Sequence, residues 1–152
     1  MGQPAGPAVM FTLNRDHLAA PAVESLAQLR VELIRRLRAA FEAWEPAPAE
    51  ALLFGSAARG DGTAASDIDL LLVRPRHIEE GHHGWRDEVS QLAASVLAWT
   101  GNHAAIVEVD EDDADQGEAA MGDTGTNPVW EAIARDAIQL AGSPVAGRLS
   151  AR

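Results

Sequence analysis

Two aspartates and a glycine–serine pair are the residues of this sequence whose types and spacing could do chemistry. Gly55-Ser56 follows the apolar segment 52–54, and Asp67-Ile68-Asp69 opens an apolar segment that runs to residue 73. Because side chains two positions apart in a strand point to the same face, Asp67 and Asp69 would lie side by side. Two such carboxylates repel each other and lose hydration on burial, and a divalent cation removes both problems. We therefore predict an Mg²⁺ site that substrate phosphates help to complete.

The glycine–serine pair would bind the phosphates themselves. A glycine after a strand lets a phosphate approach the backbone. Ser56 could cap the short helical turn that follows, so that its hydroxyl and the nearby N–H groups form an anion site. Arg59 could donate to a phosphate, although a surface ion pair with Asp61 explains its spacing equally well. An ordinary turn and two hydrated aspartates are the alternative interpretation of the whole segment.

The spacing of these residues resembles that of a known family. Gly55-Ser56, ten further residues and Asp67-Ile68-Asp69 match the Gly-Ser-x10-Asp-x-Asp pattern of nucleotidyltransferases of the DNA polymerase β superfamily. Phe54 and Ser66, which precede the two halves of the pattern, agree with it. The chain is most similar to the minimal nucleotidyltransferases, and in particular to their antitoxin-like branch. The resemblance implies transfer of a nucleoside monophosphate from a triphosphate, with two Mg²⁺ ions and with ATP as the substrate.

The resemblance also implies which residues form the site. The nucleotide and its phosphates would be bound by Gly55, Ser56, Arg59 and Ser66. Catalysis and metal binding would use Asp67, Asp69 and a third carboxylate on a neighbouring strand. We favour Glu108 over Asp110, because a charge inside the apolar stretch 106–109 needs a reason. Glu108 would complete the metal site and help to deprotonate the acceptor hydroxyl; an exposed edge-strand charge is the alternative interpretation.

The periodicity of apolar residues predicts one α/β domain, with a small mixed or antiparallel sheet flanked by helices. Apolar residues at helical spacing indicate helices over about 21–44, 85–99 and 128–140. Buried strands are predicted at 51–54, 67–73 and 103–109. Too little chain joins the first two strands for a full crossover, so we expect them to be antiparallel neighbours. The resemblance implies the polymerase β palm-like nucleotidyltransferase fold.

The composition limits the organisation and the location of the protein. We expect a flexible N-terminal segment over 1–20, the domain over 21–142, a solvated acidic loop over 110–125 and a disordered tail over 143–152. Cysteine is absent, which excludes disulfides and thiolate zinc sites. No apolar run approaches the roughly 20 residues that span a bilayer, and no basic leader is visible. These features predict a cytoplasmic protein without a membrane partner.

Two classes of function remain open. The first is an Mg²⁺-dependent nucleotidyltransferase that moves AMP from ATP to a hydroxyl, with tRNA or a small molecule as alternative acceptors to a protein. The short chain shows no second domain for an acceptor, which in the resembling family goes with a partner protein such as a HEPN-type ribonuclease toxin. The second class is a non-catalytic module of the same fold that binds nucleotide or toxin. The net charge of −11 argues against a nucleic-acid partner, and the oligomeric state is left open.

Overall fold

A four-stranded mixed sheet with helices on both faces forms the body of the molecule. The computed structural model describes residues 13–63, 65–116 and 128–144. The helices are α1 (Ala20–Ala27), α2 (Leu29–Glu42), α3 (Gly55–Arg59), α4 (His83–Thr100), α5 (Glu111–Gln116) and α6 (Pro128–Asp136). The strands are β1 (Glu50–Phe54), β2 (Ile68–Arg74), β3 (Ala104–Asp110) and β4 (Ile138–Gly142). The predicted fold class is confirmed.

The strands lie in the order β3-β2-β1-β4. β1 is antiparallel to both of its neighbours, with Leu52 opposite Leu71 of β2. This confirms the prediction that the first two strands are antiparallel neighbours. β2 and β3 are parallel, which requires a crossover, and α4 supplies it. Gly101 ends α4 in the left-handed conformation with φ 76°.

Strand alternation divides the core into two apolar layers. Even-numbered residues of β2, such as Leu70 and Leu72, pack against α2 and α4, and we call this side of the sheet the α4 face. Odd-numbered residues, such as Leu71 and Val73, pack against α5 and α6, and we call this side the α6 face. The α4 face contains the aromatic cluster Phe41, Trp44 and Trp85.

The C-terminal helix is shorter than the sequence predicts, and an additional strand follows it. We expected a helix through about Leu140, but α6 ends at Asp136 and β4 pairs with β1. The spacing of apolar residues over 130–140 fits a helix, so periodicity alone does not reveal the strand. β4 supplies partners for the backbone groups on the outer edge of β1, which would otherwise have none in the sheet.

Two further expectations are corrected by the described residues. The acidic stretch after β3 begins with the helix α5 and not with a loop, and Asp110 Oδ1 accepts a hydrogen bond from the backbone N–H of Asp113 at 2.7 Å. The predicted helix over 21–44 is divided at Gln28 between α1 and α2. The rest of the predicted acidic loop, 117–125, and the segments 1–12 and 145–152 of the predicted tails lie outside the described residues.

Candidate functional site

The end of β1 places a glycine against the second aspartate. The register of β1 and β2 pairs Phe54 with Asp69, so the next residue along, Gly55, lies beside the Asp69 side chain. Gly55 has φ 68°, a conformation that other residues rarely adopt. A Cβ atom at this position would overlap Oδ2 of Asp69 and lie 3.1 Å from its Cγ. The structure therefore requires glycine here for two separate reasons.

Ser56 lies in the first turn of α3, where backbone N–H groups have no partner within a helix. The residue that precedes the helix is Phe54, so the prediction that Ser56 caps α3 is wrong. Its carbonyl accepts hydrogen bonds from the N–H groups of Gly60 and Asp61, at 2.8 and 3.2 Å. Its hydroxyl lies close to Gly62, in the loop that leads to β2. The hydroxyl and the first-turn N–H groups thus form a polar surface suited to an anion.

The two aspartates occupy different environments. Asp67 is exposed and precedes β2, whereas Asp69 is half-buried within it. Burial raises the pKa of Asp69, and the charge of Asp67 raises it further, while Arg59 lowers it. The charge of Asp67 thus disfavours the ionised form of Asp69. A cation between them would relieve both the repulsion and the loss of hydration.

Arg59 and Ser66, the other predicted phosphate ligands, have partners within the protein. Arg59 forms ion pairs with Asp61 at 3.0 Å and with Asp136 of α6 at 2.9 Å, and these raise its pKa. The Ser66 hydroxyl accepts from the N–H of Thr63 at 3.0 Å. Arg59 thus links α3 to α6, and Ser66 stabilises the loop before β2. A direct contact of Arg59 with phosphate would require it to exchange one of these partners.

A cleft beside Ser56 contains leucines that no motif in the sequence assigned to the site. This cleft of about 260 Å³ has a polar end formed by Ser56, Asp67 and the loop between α3 and β2. Its opposite side is formed by leucines of α1 and α2, of which Leu26 is 66% and Leu29 61% exposed. Their spacing predicted a helix over 21–44 and did not indicate a cleft. Their combination with polar groups in one cleft is typical of sites for small ligands.

An arginine of α2 holds α3 in place beside this cleft. Arg30 of α2 donates from Nε to the carbonyl of Ala57 at 3.1 Å and from its terminal nitrogen to the carbonyl of Ala58. This contact fixes α3 against α2 and complements the negative end of α3.

A second cleft of about 700 Å³, between α2 and Ile138, is lined by none of the predicted site residues. Volume alone therefore does not identify the site.

The structure does not bring Glu108 to the aspartates. In the parallel register of β2 and β3, Glu108 lies opposite Leu72 on the α4 face, whereas Asp69 belongs to the α6 face. Oε2 of Glu108 accepts a hydrogen bond from Nε1 of the buried Trp85 at 2.8 Å. The predicted three-carboxylate site is therefore not assembled, because the odd–even spacing puts Glu108 on the wrong side of the sheet.

The runner-up, Asp110, is not near the aspartates either. It lies at the far end of β3, opposite Arg74, with 4.0 Å between the charged groups, and its carboxylate accepts from the N–H of Asp113 in α5. The residue of β3 that does lie opposite Asp69 is Ala105. Over the described ranges, no cluster of three or more His, Asp and Glu side chains could hold a metal ion. Asp67 and Asp69, together with oxygens from a ligand, thus suit one cation. The predicted site with three protein carboxylates is not present among these residues.

The glycine–serine turn after β1 and the two aspartates at the start of β2 thus lie together in one α/β domain. The family model described as a nucleotidyltransferase domain matches residues 23–113, which is more than half of the chain and includes α3 and both aspartates. The chain therefore belongs to the nucleotidyltransferase domain family, which is polymerase β-like. No significant match was found among curated proteins or solved structures. No helix in the described part of the chain is long and apolar enough to cross a membrane.

Proposed function

We propose that this chain is an Mg²⁺-dependent nucleotidyltransferase that moves AMP from ATP to a hydroxyl group. The observation that carries this proposal is the packing of the Asp69 carboxylate against Gly55 at the first turn of α3. Ser56 of the Gly-Ser motif and Asp67 of the Asp-x-Asp motif line one cleft. Groups suited to phosphate and groups suited to a cation are thus neighbours, as a metal-bound triphosphate requires.

Each part of the site has a proposed role. The first-turn N–H groups of α3 and the Ser56 hydroxyl would bind phosphate oxygens. Asp67 and Asp69 would hold the cation, which neutralises charge on the phosphates when it is bound. The apolar side of the cleft, with Leu26 and Leu29, would contact the base or the ribose. Because these groups are on separate elements, the loop between α3 and β2 determines how well they are aligned.

We further propose that the acceptor hydroxyl belongs to a cytoplasmic partner protein such as a HEPN-type toxin, in an antitoxin role. Two observations support a protein acceptor over a nucleic acid. The net charge is −11, which repels phosphate backbones. Exposed apolar side chains outside the cleft, such as Leu18 and Val23, are of the kind that protein interfaces bury. A tRNA or a small molecule is the alternative acceptor.

A second candidate function is a non-catalytic module that binds nucleotide or toxin. The observation that favours it is the placement of Ala105, and not of an acid, opposite Asp69. With Glu108 on the other face, the described residues offer two carboxylates to a metal and no third group beside them to take a proton. The non-catalytic module would have the same nucleotide site as the nucleotidyltransferase. It would bind the nucleotide without transferring AMP.

One experiment separates the two candidates. The purified protein is incubated with Mg²⁺, with labelled ATP, CTP, GTP or UTP in turn, and with candidate acceptors. Nucleotide binding and pyrophosphate release are both measured. Transfer that is lost in Asp67→Asn and in Asp69→Asn, and retained in Asp87→Asn at an exposed position of α4, supports the enzyme. Nucleotide binding without pyrophosphate release supports the non-catalytic module, and the absence of cation-dependent nucleotide binding contradicts both.

A further inference from the structure

The position of β3 that lies beside the aspartates carries a side chain that cannot bind a cation. Ala105 is the register partner of Asp69, and both residues belong to the α6 face. Its side chain is half-buried. It is not among the apolar residues that form the two core layers over the described ranges, although its neighbours Ile106 and Val107 are. Packing of the core therefore does not account for an alanine at this position.

Paired residues of adjacent strands are close neighbours, since strands lie about 4.8 Å apart. A carboxylate at position 105 would therefore be adjacent to that of Asp69. Cation affinity in oxygen sites depends on the number of charged ligands and on how rigidly they are held. Asp69 is held within β2 against Gly55, whereas Asp67 lies outside the strand and is exposed. The site thus combines one rigid acidic ligand, one less restrained acidic ligand and a neutral neighbour.

Glu108 does not compensate for this neutral neighbour. Its carboxylate is directed to the α4 face by the hydrogen bond from Trp85, whose side chain is fully buried. Movement of Glu108 to the other face would require the β2–β3 register to shift by one residue, which would turn every side chain of β3 to the wrong layer. The missing charge has to come from the ligand.

We infer that Ala105 leaves the cation site one carboxylate short, so that this chain takes a divalent cation only as its complex with a nucleoside triphosphate. This inference rests on the proposed nucleotide site, and it assigns to Ala105 the low affinity of that site for a free cation. A free cation finds two acidic ligands and water, whereas a cation that arrives on a triphosphate brings phosphate oxygens with it. Position 105 thereby makes the nucleotide, and not the metal alone, the species that the site recognises.

The test uses the full chain with alanine, aspartate or asparagine at position 105. Asparagine is the matched control, because it has nearly the size of aspartate without its charge. Thermal unfolding and titration calorimetry are measured with Mn²⁺ alone, and then with Mn²⁺ and a non-hydrolysable ATP analogue. In Ala105→Asp we expect a lower melting temperature without cation, since three carboxylates repel one another, and recovery when Mn²⁺ is added. Its affinity for Mn²⁺ alone should exceed that of wild type roughly tenfold or more.

The wild-type protein and Ala105→Asn should show little response to Mn²⁺ alone, and the wild-type protein should respond to Mn²⁺ with the analogue. Two results overturn the inference. One is tight binding of Mn²⁺ alone by the wild-type protein, which needs no variant to detect. The other is a folded Ala105→Asp protein with no gain in Mn²⁺ affinity over Ala105→Asn. The proposed function fails separately, if the wild-type protein does not bind the analogue in the presence of Mn²⁺.

Discussion

The two faces of the β2–β3 pair both carry an acidic residue, and the two acids have opposite surroundings. On the α6 face, Asp69 lies against Gly55 and close to the charge of Asp67, and burial raises its pKa. On the α4 face, Glu108 is exposed and accepts a hydrogen bond from Trp85. The surroundings of Asp69 disfavour its charged form. The surroundings of Glu108 give the N–H of a core tryptophan a hydrogen-bond acceptor. The face of the sheet that a residue occupies, and not its charge, therefore separates the proposed cation ligand Asp69 from the structural residue Glu108.

Substitutions of Asp69 and of Glu108 should differ most in their effect on nucleotide binding and turnover. We expect Asp69→Ala to reduce cation-dependent nucleotide binding or turnover about 100-fold or more, as removal of one preorganised electrostatic group commonly does. Glu108→Gln should stay within about twofold of wild type, because its amide oxygen can still accept from Trp85. Titration calorimetry with Mg²⁺ and a non-hydrolysable ATP analogue measures both variants. A loss in Glu108→Gln as large as that in Asp69→Ala would contradict the assignment of the two faces.

Gly55 offers a second contrast, with Gly101 as its control. Both glycines have positive φ, but a Cβ at Gly101 meets no atom of the described residues within 4 Å, whereas a Cβ at Gly55 overlaps Asp69. Gly101→Ala should therefore cost only the backbone conformation, about 1–2 kcal/mol of unfolding free energy. Gly55→Ala should cost more than this and should also displace Asp69, with loss of nucleotide binding. Urea unfolding gives the first quantity and calorimetry the second; equal stability losses would show that the close approach to Asp69 is not real.

A smaller effect is expected from truncating Glu108, and it should appear in stability alone. Glu108→Ala removes the acceptor of the buried Trp85 N–H and should lower the free energy of unfolding by about 1–3 kcal/mol. Glu108→Gln should restore most of this loss. Nucleotide binding by the folded protein should be unchanged in both. If Glu108→Ala has wild-type stability and impaired binding, the structural role of Glu108 is wrong.

The smallest effect concerns the pH dependence of stability. Because the folded-state pKa of Asp69 is raised, the folded protein binds this proton more tightly than the unfolded chain does. The stability associated with the proton is fully present below the unfolded pKa and is lost as pH rises through the folded pKa. Without cation, Asp69→Asn should therefore melt at a higher temperature than wild type at pH 7, and the difference should shrink as pH falls toward 4. A difference that grows on acidification would contradict the raised pKa.

The sequence was sufficient for features set by local spacing. The Gly-Ser and Asp-x-Asp pattern predicted the turn and the pair of aspartates, and the short connection between β1 and β2 predicted that these strands are antiparallel. The relation of Asp69 to Ala105 could not be predicted in the same way. It depends on the register of two strands joined by the crossover helix α4, which no local pattern in the sequence specifies.

The spacing of apolar residues predicted where helices form, but it did not predict which of their apolar side chains are buried. A helical stripe identifies one face of a helix but not what covers it, so the predicted helix over 21–44 did not reveal that Leu26 and Leu29 line a cleft. The spacing over 130–140 fits a helix as well as it fits a helix followed by a strand. β4 exists because β1 has a free edge to pair with, and this is a tertiary cause.

The central claim is that Asp67 and Asp69, and not Glu108, hold a cation that arrives with the nucleotide. The most direct test is a crystal structure of the protein with Mn²⁺ and a non-hydrolysable ATP analogue, with the metal located by its anomalous signal. The claim predicts a peak within roughly 2.2 Å of carboxylate oxygens of both aspartates and of the phosphates, and none at Glu108. A metal bound by Glu108 or Asp110, or a nucleotide bound away from Gly55-Ser56, would contradict it.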